Sequence, residues 1–421
     1  MTNTIVLIGA GSTNFGLGTL NGIFHNKVME GSHIVLHDIN PASLEKTHTI
    51  AQRYIDANHL NVTLSANVDR ESALQGANFC IISIEVGNRF TLWEIDWQLP
   101  QQYGFRQVYG ENGGPGGLFH ALRIVPPILD ICADIQRICP DATVLNLSNP
   151  MSRICLTIKR KFPDLKLVGL CHEIDSLEAI LPDLLETPYV NLEVKAAGLN
   201  HFSVVLEAHY KDTGRDAYPD IRARAPAYFK DSGERGLFMD ILRLYGLFPI
   251  TTDSHFGEYI HWAHNSVDHK GILEFYNMYK KWCFINSEVD ENSLPPDTMP
   301  SVVAIMATIL SGVTHDDPAV NLPNAGLITN LPEDLVVEVP AIVDRNGVHG
   351  VKMGAVPKGF AALLNHEAIV QDLVSEAILT HKRLTALQAL MADPVVTNLH
   401  SAEQMLDMAI ELEYPWLNYL D

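Results

Sequence analysis

The fold is decided by an apolar run that enters a glycine turn, Ile5-Val6-Leu7-Ile8-Gly9-Ala10-Gly11-Ser12. Four apolar residues without alternation are typical of a strand that is buried on both faces. A helical stretch follows to about His25, and residues 33–37 form a second apolar run that ends at Asp38. Because strand, turn, helix and strand follow in this order, we predict an α/β fold that begins as a Rossmann-type, doubly wound parallel sheet.

The same alternation continues through the first half of the chain. The further elements predicted there are strands over residues 79–84, 144–147 and 165–170 and a helix over residues 41–59. After about Gly198 helical periodicity dominates, with helices predicted over residues 236–246, 300–311 and 359–391 and strands over 203–209 and 335–339.

This change of pattern predicts two domains. We expect a Rossmann-like nucleotide-binding domain over residues 1–197. We expect a mixed, helix-rich α+β domain over residues 198–421, for substrate, metal and oligomerisation. Stretches rich in Pro and Asp near residues 290–300 and 315–325 are predicted to be surface loops.

The glycine turn predicts a dinucleotide site. Gly9 permits the tight turn, Gly11 lets the backbone approach a pyrophosphate, and Ser12 leads into a helix N-terminus whose N–H groups face that anion. The third glycine of the usual fingerprint is replaced by Asn14. Asp38 can accept hydrogen bonds from a ribose and disfavours a 2′-phosphate, so we predict NAD as the cofactor.

Composition excludes several classes of function. The chain has 421 residues, 47% of them hydrophobic, and a net charge of -21. Such an acidic chain is a poor binder of nucleic acid or of an anionic membrane. We find no secretory signal, no apolar run of about 18 residues that could span a bilayer, and six cysteines too sparse for a disulfide scaffold. These features predict a cytoplasmic protein.

Polar groups follow the predicted strands, where ligands bind in open parallel sheets. Asn149 follows one strand, and Cys171-His172-Glu173 follows the next. A glycine-rich loop with Glu111 and Asn112 can approach a ligand closely. His201 begins the second domain. A thiolate and an imidazole suit Mn²⁺ or another divalent transition metal, and two protein ligands leave positions for substrate oxygens.

Residues 251–259 hold Asp, His, Glu and Tyr within nine positions. Side chains of these types serve as general acids and bases. Our candidates for a catalytic base there are Asp253 and Tyr259, and the sequence does not choose between them.

Taken in order, these motifs resemble glycoside hydrolase family 4, from the first strand to about residue 260. The set comprises the glycine turn, the Gly-Gly-Pro-Gly-Gly loop before Arg123, Asn149-Pro150, Cys171-His172-Glu173-Ile174, Gly198-Leu199-Asn200-His201 and Glu258-Tyr259.

The resemblance implies a glycosidase that works through NAD. Bound NAD⁺ would accept hydride from C3 of the sugar, a base would remove the C2 proton, and the aglycone would leave by elimination before water adds. Cys171 and His201 resemble the metal ligands, and Asn149 resembles a contact to sugar hydroxyls. His172 lies where phospho-sugar members carry an acidic Asp, so we propose it as the general acid. Family members are commonly dimers or tetramers, so we expect a homodimer or homotetramer.

The residues after the cysteine resemble those of members that act on uronides. We therefore predict an α-linked uronide as substrate, galacturonide first and glucuronide second, with a neutral α-glucoside or α-galactoside as the alternative. Candidate cations for the uronide carboxylate are Arg89, Arg106 and Arg123.

Two other functions share the glycine turn. An NAD-dependent 2-hydroxy acid dehydrogenase could use a histidine base but needs no thiolate metal site, and it would convert NAD to NADH. A non-catalytic NAD sensor would bind the dinucleotide without dependence on metal.

Overall fold

The computed structural model describes residues 3–11, 13–230, 235–285 and 294–421. The side chains of residues 13–15, 282, 284 and 285 are outside this description. Among the described residues, no helix combines the length and the apolar character that crossing a bilayer requires.

One twelve-stranded sheet organises the chain. Its strands are β1 Thr4–Ile8, β2 His33–His37, β3 Thr63–Asn67, β4 Phe79–Ile82, β5 Thr143–Asn146, β6 Lys166–Gly169, β7 Leu192–Leu199, β8 Phe202–Tyr210, β9 Phe248–Pro249, β10 His315–Pro323, β11 Val336–Asp344 and β12 Gly347–Gly350.

The helices cover both faces of this sheet. They are α1 Thr13–His25, α2 Pro41–Asn58, α3 Arg70–Ala73, α4 Arg89–Gln102, α5 Gly114–Ile138, α6 Met151–Lys161, α7 Ser176–Leu185, α8 Tyr218–Tyr228, α9 Gly236–Tyr245, α10 Asp253–Phe256, α11 His269–Ile285, α12 Pro300–Ser311, α13 Lys358–Thr380, α14 Arg383–Ala392, α15 Leu399–Leu412 and α16 Tyr414–Leu417.

The first six strands are parallel in the order β3-β2-β1-β4-β5-β6, which is the Rossmann order. Alternate residues of β1 face opposite sides, as a strand buried on both faces requires. Ile5 and Leu7 pack with α1, α2 and α12, whereas Val6 and Ile8 pack with α5, α6 and α13–α15. The predicted parallel sheet is confirmed.

The second half of the sheet is antiparallel and continues from β6 through β10, β11, β7, β8 and β9. The predicted domain boundary after residue 197 falls inside β7, which pairs with β8 along its whole length. The division into two domains at that point stays a prediction.

The loop predicted near residues 315–325 is wrong, because residues 315–323 form β10 between β6 and β11. Pro318 suggested a loop, since proline cannot donate to a sheet ladder. The register between β10 and β11 shifts between Asp317 and Val320, and this bulge accommodates the proline. The other predicted loop falls partly on residues 286–293, which lie outside the described residues; residues 294–298 have no regular secondary structure.

Candidate active site

A cavity of about 1190 Å³ runs along the carboxyl ends of the parallel strands. The residues predicted to bind a nucleotide, Gly9, Gly11 and Asp38, line it together with Cys171 and His201. The glycine turn and the proposed metal ligands therefore share one cavity. Ser12, the fourth predicted nucleotide contact, lies outside the described residues.

The nucleotide end is built around the backbone of the glycine turn. Gly9 has φ +90°, and a Cβ there would lie 2.1 Å from the carbonyl oxygen of Ser83. The backbone N–H of Gly11 donates to the Asp38 carboxylate at 2.8 Å, and Asn40 N–H donates to the other carboxylate oxygen at 2.8 Å. Asp38 is thus fixed beside the turn, where the predicted ribose contact requires it.

The proposed metal ligands meet although they come from different halves of the sheet. Cys171 follows β6, and His201 lies in the turn between β7 and β8. The Cys171 Sγ atom is 3.2 Å from His201 Nε2. At this separation the thiolate sulfur and the imidazole nitrogen could both bind one divalent cation. No group of three or more His, Cys, Asp or Glu side chains in the described residues could hold a metal ion, so the pair would form an incomplete shell.

Burial shifts the pKa values of the two proposed ligands in opposite directions. Burial, together with Glu173 and Glu338, raises the pKa of Cys171 well above its usual range. Burial and the neighbouring His255 lower the pKa of His201 to about 4. His201 is therefore neutral near pH 7 and can ligate a cation, whereas Cys171 must lose its proton when a cation binds.

Asn112 supports the fit to a metal ion. Its side-chain nitrogen is 2.9 Å from His201 Nδ1, and its buried Oδ1 has no hydrogen-bond partner within the described part of the chain. The two ends of a side-chain amide have nearly the same shape, so the amide can turn over in place. Turning this amide over lets Oδ1 accept from Nδ1–H and leaves the Nε2 lone pair for a cation, as is usual for metal-binding histidines. Asn112 was predicted to contact substrate; the structure places it behind His201 and not on the cavity wall.

Glu258 holds the glycine-rich loop in place. Its carboxylate accepts three backbone N–H groups of that loop, from Glu111 at 2.5 Å, Asn112 at 2.9 Å and Gly113 at 3.0 Å. Burial raises the pKa of Glu258 to about 7. Because Asn112 contacts His201, this carboxylate connects the loop to one of the proposed metal ligands.

A second buried carboxylate, Glu338 on β11, holds the turn that carries His201. It accepts from Asn200 Nδ2 at 2.8 Å, from Ser203 Oγ at 2.8 Å and from Asn321 Nδ2 at 3.2 Å. His201 itself has φ +60°, a left-handed conformation that costs free energy unless its surroundings impose it. These hydrogen bonds provide that restraint on both sides of the histidine.

His255 lines the cavity between two carboxylates. Its Nδ1 is 3.7 Å from Glu111, its Nε2 is 3.9 Å from Glu173, and its ring centre is 4.7 Å from that of His201. Glu111 also pairs with Arg89 at 2.7 Å. Arg89 and Glu111 were both predicted to bind substrate, and both line the cavity.

The two predicted base candidates are not among the cavity-lining residues. The Asp253 carboxylate accepts the backbone N–H groups of Leu237 and Phe238 at 2.9 and 2.8 Å, and so caps α9. Tyr259 is buried, stacked on Phe202 with ring centres 4.8 Å apart. The same short segment instead presents His255, which the sequence analysis did not select.

The remaining predicted contacts, Asn149 and His172, both line the cavity. Asn149 Oδ1 is buried and has no protein partner among the described residues, so it can serve a ligand. His172 is exposed at the cavity wall. Their chemistry and position suit contact with a polar substrate.

Among the described residues, three arginines line the cavity, and each is paired with a carboxylate. Arg70 pairs with Asp134 at 2.5 Å, Arg89 with Glu111 at 2.7 Å, and Arg123 with Asp96 at 2.7 Å. Arg123 also contacts Glu413. Arg106, the third candidate for a uronide carboxylate, does not line the cavity and contacts Asn265 at 3.5 Å.

Comparison with known proteins identifies the family of this chain. Residues 4–187 match the family described as family 4 glycosyl hydrolase, and residues 196–396 match its C-terminal domain. An alpha-glucosidase of Erwinia rhapontici is 49% identical over 457 aligned positions, which cover 100% of both chains. The chain belongs to glycoside hydrolase family 4 and is a glycoside hydrolase.

Two further relatives bear on the details. An alpha-galacturonidase of Bacillus subtilis (strain 168) is 26% identical, over 96% of each chain. A crystal structure of a 6-phospho-alpha-glucosidase from gut microorganisms, in complex with NAD and Mn²⁺, has a TM-score of 0.83, with 98% of each chain covered and 19% identity. That structure shares the fold. The predicted family is confirmed; the galacturonidase-like subtype is not confirmed.

Proposed function

We propose that this enzyme is an α-glucosidase that hydrolyses neutral α-glucosides with the help of NAD and a divalent transition metal ion such as Mn²⁺. The observation that carries the proposal is the meeting of Cys171 and His201 in the cavity that also contains the glycine turn. When bound, NAD supplies a hydride acceptor and the metal ion supplies a Lewis acid.

The protein's own side chains bind and orient the sugar. Asn149 offers a buried amide oxygen to a sugar hydroxyl, and Cys171 and His201 would hold the cation. We propose that His172 donates a proton to the leaving oxygen. For proton removal at C2 we propose His255 in place of Asp253 or Tyr259, because it lines the cavity between Glu111 and Glu173.

Charge in the cavity supports a neutral sugar. The arginines on the described cavity wall are already paired, and Glu85, Glu111 and Glu173 line it as well. Within the described part of the chain, a uronide carboxylate would meet these carboxylates and would find no arginine that lacks a carboxylate partner. The 49% identity to an alpha-glucosidase supports the same assignment.

The uronide remains the second candidate because of the Cys171-His172-Glu173 motif. Galacturonide, then glucuronide, stays the prediction made from that motif. A homodimer or homotetramer also stays a prediction.

A panel of nitrophenyl α-glycosides tests the assignment. The purified enzyme with NAD⁺, Mn²⁺ and a reductant is given the glucoside, galactoside, glucuronide and galacturonide. We expect kcat/KM to be highest for the glucoside and at least about ten-fold lower for both uronides, which corresponds to about 1.4 kcal/mol. A preference for either uronide would overturn the neutral assignment and support the second candidate.

A further inference from the structure

The last residues of the chain, 413–421, form part of the wall of the cavity. Pro415 and Trp416 line it, although both lie beyond residue 396, where the match to the C-terminal family domain ends.

Buried contacts fix the segment against α5. Glu413 is fully buried and contacts Arg123. Tyr419 Oη donates to the carbonyl oxygen of Leu122 at 2.9 Å, and Leu417 is buried in the core between α5 and the sheet. The backbone N–H of Asp421 donates to the carbonyl of His381 at 2.8 Å. The position of Trp416 is therefore set by its neighbours on both sides.

Trp416 packs on the loop that follows β4. A Cβ added at Gly87, which has φ +64°, would lie 2.8 Å from Trp416 Cζ2 and 2.9 Å from Cη2. The indole is half-buried, so part of its surface is open to the cavity. In the sheet, β4 and β2 flank β1, so the loops that carry Gly87 and Asp38 lie on either side of the glycine turn.

Contacts along α5 show at which end of the cavity Trp416 lies. Asn112, which contacts His201, comes just before the first residue of α5, Gly114. Arg123 lies nine residues further along the helix, or about 13 Å along its axis. The cavity wall continues along α5 from Arg123 to Ile131, and Glu413, three residues before Trp416, contacts Arg123. Trp416 therefore lies toward the end of the cavity away from Cys171 and His201, where the adenosine half of a dinucleotide would lie if its nicotinamide reaches those two residues.

We propose that Trp416 contacts the adenosine half of the bound dinucleotide, so that the C-terminal segment completes the cofactor groove. The proposal rests on the proposed binding of NAD. An aromatic side chain beside an adenine provides a flat apolar surface, and such contacts contribute enough to change affinity by about ten-fold or more.

The test combines ¹⁹F NMR with calorimetry on the full-length protein. The protein is labelled with 5-fluorotryptophan, and the Trp416 signal among the five tryptophans is assigned with the Trp416→Phe variant. NAD⁺, AMP and nicotinamide mononucleotide are added separately. We expect the Trp416 signal to shift with NAD⁺ and AMP and to stay in place with nicotinamide mononucleotide.

Variants measure the contribution to affinity. Trp416→Ala should raise the Kd for NAD⁺ and for AMP about ten-fold, and Trp416→Phe, which keeps an aromatic ring, should raise it less. Trp262→Phe is the matched control, because Trp262 is half-buried and does not line the cavity. If NAD⁺ binds the wild-type protein while the Trp416 signal stays unchanged, or if Trp416→Ala keeps the wild-type Kd, this inference is wrong and the proposed function stands. If the wild-type protein does not bind NAD⁺, both proposals are wrong.

Discussion

The sulfur of Cys171 lies 3.2 Å from Nε2 of His201, although one residue follows a parallel strand and the other joins two antiparallel strands. The contact therefore depends on the junction between the two halves of the sheet. Asn112 behind the imidazole and Glu338 beneath its turn keep the two atoms together.

Removal of the sulfur should remove the metal site and leave the nucleotide site intact. For Cys171→Ala we expect the Kd for Mn²⁺ to rise at least about 100-fold, since even the loss of an outer partner of a metal ligand costs about 10- to 100-fold. The Kd for NAD⁺ should stay within about two-fold, by isothermal titration calorimetry. Cys139→Ala, a buried cysteine off the cavity wall, is the control. Unchanged Mn²⁺ binding would rule out Cys171 as a ligand.

Metal binding should release one proton near neutral pH. Burial raises the pKa of the Cys171 thiol, so the metal-free site holds this proton, whereas His201, with a pKa of about 4, is already neutral. The Kd for Mn²⁺ should therefore fall about ten-fold per pH unit between about pH 6 and 8. Calorimetry in buffers of different ionisation enthalpy counts the protons. A count of zero would mean that the thiol does not ligate.

The Glu258→Gln variant tests how the glycine-rich loop is held. The amide oxygen cannot accept all three N–H groups equally well, so Asn112 should shift and the Mn²⁺ affinity should fall about ten-fold. Calorimetry measures this change. An affinity equal to that of the wild type would show that the loop needs no carboxylate.

The free energy of unfolding should depend on pH through the titration of Glu258. Burial raises the pKa of Glu258 to about 7. The stability that its protonated form contributes is therefore fully present below pH of about 4.5 and is lost as pH rises through about 7. In urea unfolding, the wild type should lose up to about 3 kcal/mol relative to Glu258→Gln between pH 5 and 8. Parallel pH profiles for the two proteins would contradict this.

The motifs after the strands were predictable because each depends on local pattern. An apolar run predicts a buried strand, and the residues after it then lie at the ligand-binding edge of the sheet, as Asn149 and Cys171 do. For residues 251–259 it was harder to predict which side chains face the cavity. Side chains there point in different directions because α10 is a single short turn followed by a 3₁₀ turn, and only His255 faces the cavity.

Charge pairing was not predictable from the sequence either. Arg123 appeared free to bind a substrate carboxylate, but its partner Glu413 is 290 residues away in the chain. Such contacts arise only when the tertiary structure forms. The pairing with Asp96 makes Arg123 less available to a uronide carboxylate and so supports the proposal of a neutral sugar.

The buried contacts of Arg123 should contribute far more to the free energy of unfolding than exposed ion pairs do. Its side chain is 3% exposed, and it contacts Asp96 and Glu413, which are 1% and 0% exposed. Burial and the neighbouring Asp96 raise the pKa of Glu413 to about 9, so Asp96 is the carboxylate that Arg123 neutralises near pH 7. Arg123→Met should lower the free energy of unfolding by about 3–5 kcal/mol, because it leaves the buried Asp96 carboxylate without a cation. Chemical denaturation measures the loss.

Arg137→Ala is the matched control, because Arg137 also pairs with two carboxylates but is 54% exposed. It should cost less than about 1 kcal/mol. If the two variants lose the same free energy of unfolding, the buried contacts of Arg123 with Asp96 and Glu413 contribute no more than exposed ion pairs do.

If sugar release passes through removal of the C2 proton with NAD present, a proton from the solvent must replace the one removed from C2. The enzyme is allowed to hydrolyse nitrophenyl α-glucoside in D₂O with NAD⁺ and Mn²⁺, and the released glucose is examined by mass spectrometry and NMR. We predict one deuterium at C2 and no turnover when NAD⁺ is removed. Unlabelled glucose, formed equally well without NAD⁺, would indicate hydrolysis by two carboxylates and contradict the account.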